Sequence, residues 1–217
     1  MSLGTISPTS SSVPTLNVTN RDLALADSSN YYVAVTPTPG TGIITNAGTT
    51  NAATTPSLVV FNGGLLNIYL MFLKLSETVV GGGAAVHNFT HSVDQGNRYA
   101  SGGTALTVNN TNILANAKSS AQVTFGALTA GGATSKSSVI ANDWFRGGAD
   151  VVGDVYEFHY GAPLSTAIGS QIATVASFSR SVAPICIQPQ SSYLLNIWAA
   201  TFTQGITFEV QLAFAEK

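Results

Sequence analysis

The sequence is short of charge. Lys, Arg, Asp and Glu together make up 8% of the 217 residues, and the formal net charge is -2. Soluble domains typically carry about 25% charged residues. The polar surface must therefore consist mainly of Ser, Thr, Asn, Gln and Gly. A surface with so little electrostatic repulsion favours association with other subunits.

The basic residues are few and scattered. Eight Lys and Arg are spread along the chain without a cluster. Nucleic-acid binding depends on clustered basic residues, because these neutralise phosphates and release counterions. We therefore expect no nucleic-acid partner.

Cysteine is almost absent, and long apolar runs are missing. Cys186 is the single cysteine, so no disulfide can form within the chain. It lies between Ile185 and Ile187, where a thiol is expected to be buried as a small apolar group. No apolar run approaches the ~20 residues of a membrane helix, and the first residues lack the features of a signal peptide. We expect synthesis in a cytoplasm and no membrane partner.

Few residues could serve catalysis or metal binding. His87 and His91 are four residues apart in an alternating segment, and four residues of a strand span ~13 Å, too far for one metal ion. Asp150, Asp154 and Glu157 could bind Ca²⁺ with help from carbonyl groups, but their spacing fits no EF-hand, and a solvated turn is favoured. No common catalytic motif is present. We expect no enzyme activity, no metal and no cofactor.

What the sequence does contain is a series of short β patterns separated by glycine-rich turns. From residue 57 they are SLVVFN, LLNIYLMFLKLSET, VHNFTHSV, TALTVNNTNIL, AQVTFGAL, DVYEFHYG, VAPICIQP, SYLLNIWAA and ITFEVQLAF. Residues 164–176 could form a short helix, although their Ser, Thr and Gly content disfavours it. Eight or more such segments predict an all-β fold, an antiparallel jelly-roll-like β-sandwich.

The composition changes near residue 56. Residues 1–56 hold five of the eight prolines and only three charged residues, which predicts an extended N-terminal arm with one short strand, YYVAV. The first thirty residues are either an arm that orders against a neighbour or a frayed terminus. Residues 57–217 form the predicted sandwich domain. Its expected core includes Leu70, Phe72, Phe89, Phe125, Val155, Leu195, Trp198, Phe208 and Leu212.

The segment SSYLLNIWAATF is apolar on both faces of a strand. Leu194 and Trp198 lie on one face, and Leu195 and Ile197 lie on the other. Such a strand is either central in a two-layered protein or pressed against another subunit. We therefore assign Leu194, Ile197 and Trp198 to a candidate interface. The next segment, ITFEVQLAF, alternates regularly and predicts the last strand of a closed sandwich.

Four other aromatic residues are interface candidates. Trp144 and Phe145 lie between turn residues, where an exposed aromatic side chain could anchor a protein partner or stack on a sugar, or could fold back over the edge of the core. The folded-back position is favoured, and of the other two a subunit contact is preferred to sugar binding. Tyr31 and Tyr32, at the start of YYVAV, complete the candidate set.

The end of the sequence resembles a group of phage structural proteins. The segment VAPICIQPQSSYLLNIWAATFTQGITFEVQLAFAE is similar to their terminal hairpin, in which a Pro and alternating apolar residues lead through a polar turn to an L-L-x-x-W strand and a last strand of F-E-x-x-L character. LLNIYLMFLKLSET, NRYASGGTAL and VVGDVYEFHYG are similar to other segments of such proteins. The likeness spans residues 57–217. It implies a jelly-roll virion component of the capsid decoration or cement type, usually trimeric.

Two functions are therefore considered. The first is a structural protein on the capsid surface, a homotrimer that binds and stabilises the major capsid protein lattice. The second is a receptor- or glycan-binding module of a spike or fibre, built on the same fold. A glycan binder should group exposed Trp and Tyr with Asp or Asn, whereas a lattice binder should show flat surfaces, an ordered arm and an apolar trimer axis. An enzyme ranks third, because a glycoside hydrolase needs paired carboxylates and the acidic residues here are mostly isolated.

Overall fold

A computed structural model describes residues 21–83, 87–114, 117–145, 150–161, 168–172 and 175–217. These residues form one helix, α1 (Arg21–Asp27), and fifteen strands. The strands are β1 (Tyr31–Val35), β2 (Ile43–Ile44), β3 (Leu58–Asn62), β4 (Ile68–Val79), β5 (His87–Gln95), β6 (Tyr99–Ala105), β7 (Thr107–Asn110), β8 (Ala121–Ala130), β9 (Ser138–Phe145), β10 (Val155–Tyr160), β11 (Ile168–Ile172), β12 (Val175–Val182), β13 (Cys186–Ile187), β14 (Ser191–Trp198) and β15 (Thr207–Glu216).

The strands form two sheets packed face to face. Sheet A has the order β11-β12-β10-β4-β15-β1-β7, with β13 also paired to β4 and β2 to β15. Sheet B has the order β6-β8-β3-β14-β5-β9. All the pairs are antiparallel except β10 with β12, which is parallel.

Eight strands give the sandwich its topology. In chain order they are β1, β3, β4, β5, β9, β10, β14 and β15, and they pair first with eighth, second with seventh, third with sixth and fourth with fifth. This nested pairing, divided between two sheets, is the winding of a jelly roll. The predicted fold class, an all-β jelly-roll-like sandwich, is confirmed. The remaining seven strands add to the two sheets. In the chain, β2 lies between β1 and β3, β6, β7 and β8 lie between β5 and β9, and β11, β12 and β13 lie between β10 and β14.

Strand direction defines two ends of the sandwich. At the first, here called the Leu65 end, β3 ends, β4 begins and β15 ends. At the opposite end, here called the Trp144 end, β4, β9 and β14 end and β5 and β15 begin. The two ends carry different side chains and therefore form two separate candidate surfaces.

Apolar side chains from both sheets fill the space between them. Among the residues predicted to be there, Leu70, Phe89, Phe125, Leu195, Phe208 and Leu212 are buried. The prediction is wrong for Phe72, which is half-buried on the outer face of sheet A. The register of β4 against β15 shifts between Ala213 and Phe214, so that Met71 has no residue opposite it on β15 and the alternation that begins at Ile68 is reset.

Val155 and Trp198 are also half-buried rather than core residues. Each has fully buried neighbours on its own strand, Tyr156 beside Val155 and Ile197 beside Trp198. Successive side chains of a strand point to opposite faces, so both residues lie on the outer faces of their sheets. Apolarity alone does not distinguish the two faces when both carry apolar side chains.

The predicted division at residue 56 does not separate two structural units, because β1 and β2 are strands of sheet A. Residues 1–20 of the predicted arm lie outside the described residues.

The helix considered for residues 164–176 is replaced by strand β11 and the start of β12, with residues 164–167 and 173–174 outside the described part. The helix α1 was not predicted. Its backbone is capped by Ser28 and Asn30, whose N–H groups donate to Ala24 and Leu25.

Candidate functional surfaces

Leu194 is covered by the chain itself. It lies on the outer face of sheet B and packs with Val59, Leu128 and Ala130 in a small second apolar cluster. Residues 46–56 run over this region: the Asn46 side chain donates to the carbonyl groups of Pro56 and Leu128, at 3.2 and 2.9 Å. We refer to residues 46–56 as the covering segment. Since only 1% of Leu194 is exposed, the residue offers no surface to a neighbouring subunit.

An ion pair fixes the covering segment to sheet B. The Arg98 guanidinium contacts the Asp94 carboxylate, and both side chains are buried. Arg98 also donates to the carbonyl groups of Ala53 and Gly131, at 2.8 and 2.9 Å. Asp94 accepts from the backbone N–H and the hydroxyl group of Thr134. Despite the desolvation of burial, these hydrogen bonds and the Arg98 charge lower the Asp94 pKa, so the carboxylate stays ionised.

Three further interface candidates are core residues. Ile197, Phe145 and Tyr32 are buried in the main core, and Tyr32 stacks on Phe214 with ring centroids 5.7 Å apart. Like Leu194, they are covered within the subunit, which corrects their assignment as interface residues. Tyr31 is half-buried and lines a shallow depression on the outer face of sheet A with Val33, Phe72 and His159, among others.

Trp144 and Trp198 share one row on the outer face of sheet B. Asn88 on β5 is directly opposite Trp198 on β14 and also directly opposite Trp144 on β9. The side chain of Trp144 is 62% exposed, whereas Trp198 and Asn88 are half-buried. A row of two tryptophans flanking an asparagine therefore crosses three adjacent strands at the Trp144 end.

A second row lies beside the first and supports it. Asn196, Thr90 and Asn142 are opposite one another on β14, β5 and β9. The Trp198 indole N–H donates to Thr90 Oγ1 at 2.9 Å, and the Thr90 hydroxyl donates to Asn142 Oδ1 at 2.7 Å. The two rows are thus connected by hydrogen bonds that lie across the sheet. We call these six residues the Trp144 face.

A polar cluster lies between the sheets. His91 Nδ1 is 2.7 Å from the Tyr193 hydroxyl, which is 2.8 Å from the Tyr160 hydroxyl, and His87 Nδ1 is 3.0 Å from the Tyr156 hydroxyl. Burial lowers the pKa of His91 to about 3 and raises the pKa of Tyr193 well above its usual value. His91 is therefore neutral at physiological pH. These side chains are closed off from solvent, so their arrangement suits hydrogen bonding within the core rather than contact with a substrate.

Two acidic groups border this cluster. Asp143 Oδ2 is 3.9 Å from His91 Nε2, and Asp143 Oδ1 is 3.8 Å from Arg180 Nε. Asp150 Oδ2 is 3.8 Å from His87 Nε2 and accepts from the Gly81 N–H at 2.8 Å. Burial raises the pKa of Asp143, while the Arg180 charge opposes this shift.

The carboxylates considered as calcium ligands do not form a metal site. Asp154 is buried and accepts from the N–H groups of Ala176 and Val151, at 2.7 and 3.2 Å, so the solvated turn expected there is instead a buried backbone cap. Glu157 is half-buried on β10. Within the described ranges, no group of three or more His, Cys, Asp and Glu could hold a metal ion. Nor does the described part of the chain contain a helix long and apolar enough to cross a membrane.

The side chain of Cys186 is exposed, contrary to expectation. Ile185 and Ile187 on either side of it are buried. Because β13 pairs with β4 at Tyr69 and Ile68, alternation turns both isoleucines inward and the thiol outward.

The Leu65 end presents aliphatic side chains to solvent. Leu65, Ile113 and Leu114 are 94%, 93% and 88% exposed, and Leu66 is 50% exposed. Residues that follow them in the chain contact the end of β15. Asn67 exchanges backbone hydrogen bonds with Lys217, and Ser119 and Ser120 donate to the Glu216 carboxylate. Sequence patterns placed all four residues in strands, but β4 begins only at Ile68 and β7 ends at Asn110.

Comparison with known proteins gives no match: no family model matches the chain, and neither a curated protein nor a solved structure is significantly similar to it. The function has to be inferred from the surfaces themselves.

Proposed function

We propose that this chain is a structural virion protein, a capsid decoration or cement subunit that binds the major capsid protein lattice through its Leu65 end. The observation that carries the proposal is the group of exposed aliphatic side chains there, Leu65, Leu66, Ile113 and Leu114. Large exposed apolar side chains concentrated at one end of a soluble protein indicate a site of interaction. A shell of assembled capsid proteins offers the extended surface that such a group would cover.

The fold and the composition support the same function. The jelly roll presents a rigid sandwich, and at its Leu65 end Asn67 bonds to Lys217 while Ser119 and Ser120 donate to Glu216. Residues that are already held in place lose little conformational entropy on binding. The low charge of the surface reduces the desolvation cost of a large contact with the lattice.

We further propose that the working unit is a homotrimer without catalytic turnover, located on the capsid surface. The support is the charge-poor surface and the resemblance of the terminal hairpin to trimeric decoration proteins. The half-buried Tyr31 on the outer face of sheet A remains available for a subunit contact. Sedimentation velocity at micromolar concentration should give three times the 22.3 kDa mass of one chain.

Co-sedimentation with capsids assembled from the major capsid protein of the same virus tests the docking surface. The double variant Ile113→Asp/Leu114→Asp should bind these capsids at least tenfold more weakly, because it places two charges in the contact. Its free energy of unfolding should stay within about 0.5 kcal/mol of the wild type, since both side chains are exposed.

The matched control is Val152→Asp. Val152 is 54% exposed and lies in the turn before β10, at the opposite end of the sandwich. This variant should bind capsids like the wild type. Undiminished binding of the double variant, or equal loss in both variants, would exclude the Leu65 end as the docking surface.

A further inference from the structure

The Trp144 face has the chemistry of a carbohydrate-binding surface. We propose that it binds a neutral saccharide chain, with the Trp144 indole stacked on a sugar ring and the neighbouring amide side chains bonded to sugar hydroxyls. This is a second function, beyond the proposed attachment to a capsid. It rests on different residues at the opposite end of the sandwich.

Trp144 is unusually exposed for a tryptophan. This large side chain is highly buried on average in folded proteins, yet 62% of the surface of Trp144 is open. The side chain occupies the edge strand of sheet B and belongs to the outer face, because Phe145 and Asp143 on either side turn towards the core. Its ring is therefore available to a ligand.

Hydrogen bonds hold the neighbours of Trp144 in place before any ligand binds. Trp198 is held by the hydrogen bond from its indole N–H to Thr90, and Thr90 in turn donates to the exposed Asn142. Asn196 donates to Asn51 Oδ1 at 2.9 Å, which links the face to the covering segment. Ala199 donates to the Gly48 carbonyl group at 3.0 Å, so the same segment borders the face beside Trp198.

The Trp144 face is polar and uncharged. Its six residues are two tryptophans, three asparagines and a threonine, and none of them is charged. Thr90 and Asn196 are buried, so the accessible surface consists of Trp144, Asn142, Asn88 and Trp198. Amide groups both donate and accept hydrogen bonds and so match sugar hydroxyls, while an indole ring matches the apolar C–H face of a pyranose. None of these six side chains could pair with an anionic ligand. The composition of the face therefore favours a neutral saccharide.

The geometry indicates the size of the ligand. Trp144 and Trp198 are separated by one intervening strand, a distance of about 10 Å between their backbones at the usual strand spacing. That separation suits a chain of two or more sugar units lying across the strands rather than a single ring. A protein partner is a different occupant of the same face, and the experiment below separates the two.

The test uses tryptophan fluorescence of the full-length protein. The chain contains only two tryptophans, and both belong to the Trp144 face, so a change in emission reports on this surface. Maltohexaose, cellohexaose, chitohexaose, xylohexaose and mannohexaose are titrated, and affinity electrophoresis in gels containing the matching polymers gives an independent measurement. At least one of these saccharides should change the tryptophan emission of the protein, and the matching polymer should change the migration of the protein in the gel.

The variant Trp144→Ala should weaken that binding at least tenfold, whereas Tyr99→Ala, which removes a 39% exposed aromatic residue on β6, should not change it. Binding of Trp144→Ala to capsids should equal that of the wild type, so failure here is distinguishable from failure of the capsid proposal. The saccharide proposal is overturned if none of the five chains binds, or if Trp144→Ala binds as well as the wild type. Loss of self-association or capsid binding in Trp144→Ala would instead identify the face as a protein interface.

Discussion

His91 Nδ1 and the Tyr193 hydroxyl oxygen lie 2.7 Å apart in the core, on the adjacent strands β5 and β14. Burial holds the pKa of His91 at about 3, and Asp143, Tyr160 and Tyr193 are the titratable groups around it. An unfolded histidine has a pKa of about 6.5. As the pH falls from about 6.5 towards 3, the unfolded chain therefore takes up a proton that the folded chain does not, and stability is lost.

Replacing His91 should remove this part of the pH dependence. Between pH 7.5 and 5.5, the wild type should lose about 1.4 kcal/mol of unfolding free energy through His91. His91→Gln retains a hydrogen-bonding group near Tyr193 but does not titrate, so its loss over the same interval should be smaller by about that amount. Urea denaturation at both pH values measures the difference. Equal losses in the two proteins would contradict a neutral, buried His91.

Leu194→Ala should destabilise the subunit. The side chain fills the cluster with Val59, Leu128 and Ala130, and truncation of a buried leucine costs about 2–5 kcal/mol. Leu65→Ala, at a 94% exposed position, is the matched control and should change stability by less than about 0.5 kcal/mol. Chemical denaturation compares the two. A stable Leu194→Ala protein with altered oligomeric state would restore Leu194 as an interface residue.

Arg98→Ala should release the covering segment. It leaves the buried Asp94 carboxylate without its cation and removes the hydrogen bond to Ala53, and breaking one side of a buried pair costs about 3–5 kcal/mol. Limited proteolysis should then cut within residues 46–56. Asp94→Asn in the Arg98→Ala background should recover part of the stability, because no uncompensated charge remains. Absence of any recovery would argue that the pair acts through packing alone.

Gly126→Ala should cost more than about 1 kcal/mol, since Gly126 adopts φ +122° and an added Cβ would lie 2.7 Å from Ile43 Cγ2 and 3.1 Å from the Ile44 carbonyl oxygen. Gly132→Ala is the control, because no atom lies within 4 Å of the Cβ it would add. Thermal unfolding of the two variants gives the comparison. Similar melting temperatures would show that β8 can relax around Gly126.

Regular alternation was enough to predict the central strands from the sequence. In β15, Phe208, Val210 and Leu212 alternate with Thr207, Glu209 and Gln211, and the apolar set is buried. Alternation failed at Phe72, where a bulge, which leaves no signature in composition, resets the faces of β4.

The surfaces could not be predicted from single sequence segments, because they depend on which distant strands pair and in which register. Nothing in the neighbourhood of Leu194 indicates that residues 46–56 cover it. Likewise, Trp144, Asn88 and Trp198 are far apart in sequence and meet only because β5 pairs with both β9 and β14. The sequence identified Trp144 as a candidate contact, but the row to which it belongs follows from the strand order.

The position of β15 has a consequence for how the chain reaches its native state. This strand lies inside sheet A, between β4 and β1, although it follows the other fourteen described strands in the chain. β1 therefore cannot acquire its central neighbour until β15 has left the ribosome. Folds dominated by such non-local pairings form slowly, on millisecond to second timescales or longer. During that interval the facing edges of β1 and β4 are open to pairing with other chains, so high-level expression should favour aggregation before folding rather than after it.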